Sequence, residues 1–275
     1  MTGSAPEHTE VPAIKVERRD DVVWVRLQRP ERMNAYDLAM ARDMIAGIED
    51  ADDAYAVVIT GTGRAFCAGG ALGQLEDPDP RQLRQLFTTS HKLVNAIRSC
   101  PRPVIAAVNG VAAGGGNELV VACDFAIAAR SATFGQTGPK VGSAPVLGGT
   151  NFLGPVLGDK RGKEMAMMCR RYSAEQALEI GMVNEVVDDA DLVAAVDRWV
   201  GEIKRLSPRY LEIAKASTNV WWNLAQDNMH QALATLIQAI GSDDMTEGAA
   251  AFLEKRRPEF TPPFTRPVSS ERNES

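Results

Sequence analysis

Two stretches of this chain combine unusual backbone freedom with a polar side chain able to handle protons. One is Gly61-Thr62-Gly63-Arg64-Ala65-Phe66-Cys67-Ala68-Gly69-Gly70-Ala71-Leu72; the other is Asn109-Gly110-Val111-Ala112-Ala113-Gly114-Gly115-Gly116-Asn117-Glu118. Each follows a short β-branched run, Val57–Thr60 or Val104–Val108. Glycine loses more conformational entropy on folding than any other residue, so two such clusters in equivalent positions ask for bare backbone close to a ligand, or for tight turns and close packing. After Gly114-Gly115-Gly116 comes the apolar run Asn117-Glu118-Leu119-Val120-Val121-Ala122-Cys123, which reads as a buried helix starting among the glycines. Its first N–H groups have no partner inside the helix and carry the positive dipole end, so they are ready donors to an oxyanion. Glu118 follows Gly115 by about one helical turn, which puts its carboxylate on the side of that N–H. A second donor from the first loop would complete an oxyanion hole, a device worth roughly 2.7–4 kcal/mol of barrier per donor. Glu118 reads equally as a helix-start glutamate offsetting the dipole.

Other chemistries fit poorly. Gly61-Thr62-Gly63-Arg64-Ala65-Phe66 has Phe where a dinucleotide fingerprint needs its third glycine, and neither loop ends in the Gly-Lys-Ser/Thr of a phosphate loop. No G-x-S-x-G elbow occurs, and of the three histidines His8 sits near the start of the chain while His91 and His230 lie in helical stretches. Cys67, Cys100, Cys123 and Cys169 form no C-x-x-C pair and have no nearby His to complete a zinc set, so they read as free thiols and no metal is expected. With 30 basic against 36 acidic residues and a net charge of −6, most of the surface would repel a polyanion, so nucleic acid is not expected as a partner. No apolar run approaches a bilayer span, and MTGSAPEHTEVP lacks the regions of a signal peptide, so a cytosolic protein without a membrane partner is expected.

The elements that must hold these loops follow from hydrophobic patterning. Val22–Leu27, Val57–Thr60, Val104–Val108 and Phe125–Ala128 are strand-like, and helical patterns run from Asp37 to about Ala51 and from Pro80 to Arg98. That alternation belongs to an α/β fold. From about Asp189 the strands stop, and Ala190–Leu206, Pro208–Leu224, Gln226–Ile240 and Asp243–Lys255 carry helical spacing. The expected organisation is a disordered start over 1–12, an α/β core over 13–188, a helical region over 189–260 and a flexible tail over 261–275.

Taken in order, several motifs resemble the enoyl-CoA hydratase/isomerase (crotonase) superfamily. They are Arg29-Pro30, Asn34-Ala35, Phe66-Cys67-Ala68-Gly69-Gly70, the run from Asn109 to Leu119, Cys123-Asp124, Phe134-Gly135-Gln136, Ala174-Glu175-Gln176-Ala177, Gly181–Val187 and Phe252-Leu253-Glu254-Lys255-Arg256. The resemblance implies a spiral of ββα turns followed by C-terminal helices that drive trimerisation, usually into a hexamer of two trimers. It implies an acyl-CoA thioester substrate and no separate cofactor. The thioester carbonyl would lie between the N–H groups of Gly70 and Gly115, with Glu118 as acid and base. The CoA would run past Arg32 and Met33 and along Ala68, Ala71 and Leu72, and Phe252 and Lys255 of a neighbouring subunit would reach it.

Departures from the family pattern bear on the reaction. Hydratases of the family hold one water with two glutamates; the second falls on Gly138, within Thr137-Gly138-Pro139-Lys140-Val141-Gly142-Ser143. That run resembles the dihydroxynaphthoyl-CoA synthase and ketocyclohexane-carboxyl-CoA hydrolase branch, although Pro145 stands where that branch has Asp and the synthases lack a glutamate at position 118. Ala71 replaces the acidic residue that commonly follows the first oxyanion glycine. The expectation is a hydratase/isomerase-type enzyme, a lyase or isomerase of fatty acid metabolism. Carbon–carbon hydrolysis of a cyclic β-ketoacyl-CoA is the runner-up, and a non-catalytic CoA-ester-binding protein is the reading from another class. Gly138 and Ser143 are expected on the acyl side, where Ser143 and Lys140 could assist and the loss of bulk leaves space for a larger or cyclic group.

Overall fold

A computed structural model describes residues 12–71 and 79–260; the expectations for both termini and for Leu72 concern residues outside those described, apart from Pro12. Five strands, β1 (Ile14–Arg19), β2 (Val22–Leu27), β3 (Ala56–Gly61), β5 (Val104–Val108) and β7 (Phe125–Ala129), form a sheet with β10 (Glu185–Val187) in the order β1-β2-β3-β5-β7-β10. All neighbours but β1 and β2 run parallel. A smaller sheet has the order β4-β6-β8-β9, from β4 (Ala65–Cys67), β6 (Val111–Ala113), β8 (Thr133–Gly135) and β9 (Tyr172–Ser173), with only β8 and β9 antiparallel. The pairs β3–β4, β5–β6 and β7–β8 each send one strand to the large sheet and the next to the small one. This is the α/β spiral that the family resemblance implies.

The inner strands β2, β3, β5 and β7 of the large sheet are buried on both faces. Val23, Val25, Leu27, Val57 and Ile59 point into the main core, while Val22, Trp24, Ala56, Val58 and Ile105 pack under Leu192, Val196, Val200 and Ile203 of α7 (Leu192–Ile203). Two-sided burial explains why these strands read as unbroken β-branched runs rather than alternating ones. The preceding helices have strong start signals: Asp37 accepts from Met40 N at 3.0 Å to cap α1 (Leu38–Glu49), and Asp79 accepts from Arg81 N at 2.8 Å to cap α2 (Pro80–Ser99), which has Pro80 in its first turn. The chain continues through α3 (Gly115–Ala122), α4 (Gly149–Leu157), α5 (Asp159–Met168) and α6 (Ala174–Glu179).

The C-terminal helices are present with shifted bounds. The expected Pro208–Leu224 and Gln226–Ile240 become α8 (Pro208–Thr218) and α9 (Val220–Gln238), so the break falls at Asn219. Tertiary contacts fix it there. Lys215 donates to Ile97 O (3.0 Å) and Arg102 O (2.9 Å) and pairs with Asp124 (2.6 Å), while Asn219 donates to Arg98 O at 3.0 Å. α10 runs over Asp243–Leu253, two residues short of the expected end.

Candidate active site

The second glycine loop becomes the end of β6 and the start of α3, with Gly114 as N-cap at φ +53. Among the described residues, the Gly115 N–H makes no backbone hydrogen bond outside the helix, as expected for a first helical position. The first loop is held by a separate device. Asn34, fully buried, receives Arg29 N (2.9 Å) on Oδ1 and donates to Thr62 O (2.9 Å) and Ala65 O (2.7 Å). That lays the segment through Tyr36 alongside Ala68–Ala71: Ala68 N donates to Met33 O, Tyr36 N to Gly69 O and Ala71 N to Tyr36 O, at 2.9–3.0 Å. In such a parallel bridge between Tyr36 and Gly70, the flanking residues carry the hydrogen bonds, so Gly70's own N–H is turned away from the Tyr36 strand.

Gly69, at φ +95, lets the two loops abut. A Cβ there would lie 2.9 Å from Gly115 N and 3.1 Å from Ala113 O. Behind them Gly116 has no room for a side chain, since a Cβ would come within 2.0 Å of Cys67 O.

Together the loops wall a cavity of about 260 Å³ at one end of the small sheet. The parallel strands β4, β6 and β8 release Ala68–Gly70, Gly114–Gly115 and Gln136–Gly138 into its wall, and antiparallel β9 begins just after Arg171, which also lines it. A ligand space at the carboxyl ends of parallel strands is where α/β sheets commonly bind. Leu86, Phe87 and Ser90 of α2, Leu236 of α9 and Phe252 of α10 form the facing side.

Glu118 lines this cavity and is 3% exposed; its Oε1 accepts from Leu147 N at 2.8 Å, which fixes the carboxylate's orientation. It is the only carboxylate among the described lining residues. The Tyr36 hydroxyl lies 2.7 Å from where a Gly115 Cβ would be, and burial drives its phenol well above the ordinary range. Burial likewise pushes the Cys67 thiol up to about 12, so this cysteine beside the glycines is a packed thiol and no nucleophile at neutral pH. All four cysteines are buried and unpaired.

Of the residues singled out in the sequence, Met33, Ala68, Gly70, Ala71, Gly115, Glu118, Gly138, Ser143 and Phe252 meet at the cavity. Arg32 and Lys255 are exposed and stand outside its lining, and Leu72 is outside the described residues. Phe252 lines the cavity of its own chain. The reason is close packing of α10 on the loop after β8, where a Cβ on Gly248 would come within 2.3 Å of Gly142 N. Lys140 points away and donates to Cys169 O at 3.1 Å. Tyr36, Ser90, Leu147 and Arg171 carry no local sequence signal that marks them for the site.

Fold and cavity define an α/β spiral enzyme scaffold with a ligand chamber built on two glycine loops. The chain matches the enoyl-CoA hydratase/isomerase family over residues 17–263 and belongs to that family. Among solved structures it is similar to an enoyl-CoA hydratase from Mycobacterium avium subsp. paratuberculosis K-10, at 27% identity over 92% of this chain and 100% of that one with a TM-score of 0.81. It is also similar to enoyl-CoA hydratase from Bacillus anthracis (32% identity, 90% and 99% covered, TM-score 0.74). A carnitinyl-CoA hydratase from Mycobacterium avium is comparable, at 30% identity with 90% and 98% covered and a TM-score of 0.77. No helix among the described residues is long and apolar enough to cross a membrane.

Proposed function

We propose that this protein is a hydratase/isomerase-type enzyme acting on acyl-CoA thioesters. The thioester oxygen sits between the amides of Gly70 and Gly115, Glu118 takes a proton from the adjacent carbon, and the electron pair moves onto the oxygen as an enolate. The carboxyl then returns the proton to a carbon of the same chain. Donors fixed in advance at the developing charge lower the barrier because they need no reorganisation during the reaction. The CoA portion lies along Met33, Ala68 and Ala71, with Arg32 and Lys255 towards solvent, and the acyl group faces Gly138, Ser143 and Phe252. Assembly as a trimer or hexamer and a cytoplasmic location belong to the same reading.

The observation that carries it is Glu118 in the cavity wall, in the first turn of the helix whose leading amide is Gly115, with its carboxylate held by Leu147 N. Ser143, on the same wall, favours a second reading, ring-opening hydrolysis of a cyclic β-ketoacyl-CoA in which water adds to the ketone and the departing carbon becomes the enolate. Exposure to a 2-enoyl-CoA, a 3-enoyl-CoA and a cyclic β-ketoacyl-CoA, followed by mass and NMR analysis of products, separates hydration, double-bond migration and ring opening. Glu118→Gln should lower turnover by about 10²–10⁴-fold while CoA-ester affinity is retained. Unchanged turnover in the variant refutes the acid–base role of Glu118, and no turnover by the wild type with any acyl-CoA refutes the enzymatic reading and leaves a binding protein.

A further inference from the structure

The described lining of the cavity holds one carboxylate, Glu118, and one guanidinium, Arg171. Neighbouring cations are engaged elsewhere: Arg170 pairs with Glu164 at 2.6 Å, and Lys140 donates to Cys169 O. The guanidinium of Arg171 has no ion pair or hydrogen bond to a described residue. Its position follows from strand geometry. Tyr172 of β9 is buried opposite Phe134 of β8, so the alternating positions Arg171 and Ser173 fall on the other face of the small sheet. There Arg171 stands beside Gly135, where a Cβ would come within 3.6 Å of Arg171 Cα and 2.7 Å of Arg170 O. Ala113, paired with Gly135 on the next strand, lines the cavity together with Arg171.

Resting on the acyl-CoA reading of the site, we infer that Arg171 recognises an anionic group of the ligand, a phosphate or a carboxylate, at the strand-end side of the cavity. A guanidinium offers these planar or tetrahedral oxyanions two parallel N–H donors. The source is either a phosphate of the CoA or a carboxylate carried by the acyl group.

Calorimetric titration of wild type, Arg171→Gln and Arg171→Lys with butyryl-CoA, butyryl-pantetheine, glutaryl-CoA and glutaryl-pantetheine tests this and separates the sources. In Arg171→Gln, affinity for the anion-bearing ligand should fall about tenfold or more, with partial recovery in Arg171→Lys and a smaller difference at high salt. A loss for both CoA esters and neither pantetheine thioester assigns a CoA phosphate. A loss for both glutaryl ligands and neither butyryl ligand assigns an acyl carboxylate. Equal affinities of Arg171→Gln and wild type for all four ligands overturn the inference while leaving the acyl-CoA reading intact, whereas a wild type that binds none of them overturns both.

Discussion

Replacement of Gly69 by Ala probes the contact between the two glycine loops most directly. The residue has φ +95, and an added Cβ would sit 2.9 Å from Gly115 N and 3.1 Å from Ala113 O. Ordinary van der Waals contact begins near 3.4 Å, so the loops must separate by about 0.5 Å or the backbone must leave its conformation. The positive φ alone costs about 1–2 kcal/mol for a residue with a Cβ. The displacement acts on Gly115 N itself, one of the two proposed oxyanion donors, and loss of one such donor costs about 10²–10³ in kcat. Gly181→Ala is the matched control, since that glycine has φ +77 and nothing within 4 Å of an added Cβ. Both variants should therefore unfold at lower denaturant than wild type, but only Gly69→Ala should lose acyl-CoA turnover or α-proton exchange of a saturated acyl-CoA in deuterated water. Equal turnover in the two variants, at equal stability, would refute the argument that the loop contact sets the donor geometry.

Two other substitutions test the scaffold. Lys215→Met removes the partner of Asp124, whose carboxylate is largely buried and also receives Val104 N at 2.8 Å; breaking such a pair should cost about 3 kcal/mol in equilibrium unfolding, and a loss below 1 kcal/mol would show the pair to be dispensable. His91 is buried against His230 with ring centroids 5.0 Å apart, and burial, then the neighbouring imidazole, lowers its pKa from 6.5. The unfolded chain then binds the proton at higher pH than the folded one, so the stability contributed by this group is present above about pH 6.5 and is lost as the pH falls below it. His91→Asn should flatten the stability difference between pH 7.5 and 5.5, and an identical pH dependence in the variant would remove His91 as its source.

The sequence made some elements plain for physical reasons. Val22–Leu27 and Val104–Val108 coincide with β2 and β5 because strands covered on both faces need apolar residues at every position. The placement of Gly115 and Glu118 in one helical turn was also legible, since local helix geometry decides it. The small sheet was not. Its strands have two or three residues, too few for a period to show, and they carry Cys, Ala and Gly rather than a β-rich run. That sheet nevertheless aligns Ala68, Ala113, Gln136 and Arg171 at one end, so the site's far wall depended on pairings between distant segments. Tyr36 was invisible for the same reason, being set by the hydrogen bonds of Asn34 to the first loop. The helix break at Asn219 was misplaced because buried polar contacts, and not propensity, decide it.

Gly138 shows how the backbone itself restricts the chemistry. A Cβ at this position would meet the Cα, carbonyl carbon and N of Ala144 at 2.9–3.0 Å, because the turn closes on itself through Val141 N and Ser143 N, both donating to Gly138 O at 2.9 Å. The clash is with main chain, so a longer side chain cannot avoid it by changing rotamer. Restoring the second glutamate expected of a two-carboxylate hydratase would therefore overpack the turn, typically at a cost of about 1–3 kcal/mol, and would move Ser143 and Ala144 in the cavity wall. Among the described lining residues Glu118 is the only carboxylate, so on the proposed reading a proton it removes returns from Glu118 itself, from water or from a group on the substrate. On that reading the described wall suits proton transfer between carbons on one face of a bound enolate, and a water held by Glu118 would take a second hydrogen bond from the ligand or from a wall residue such as Ser143.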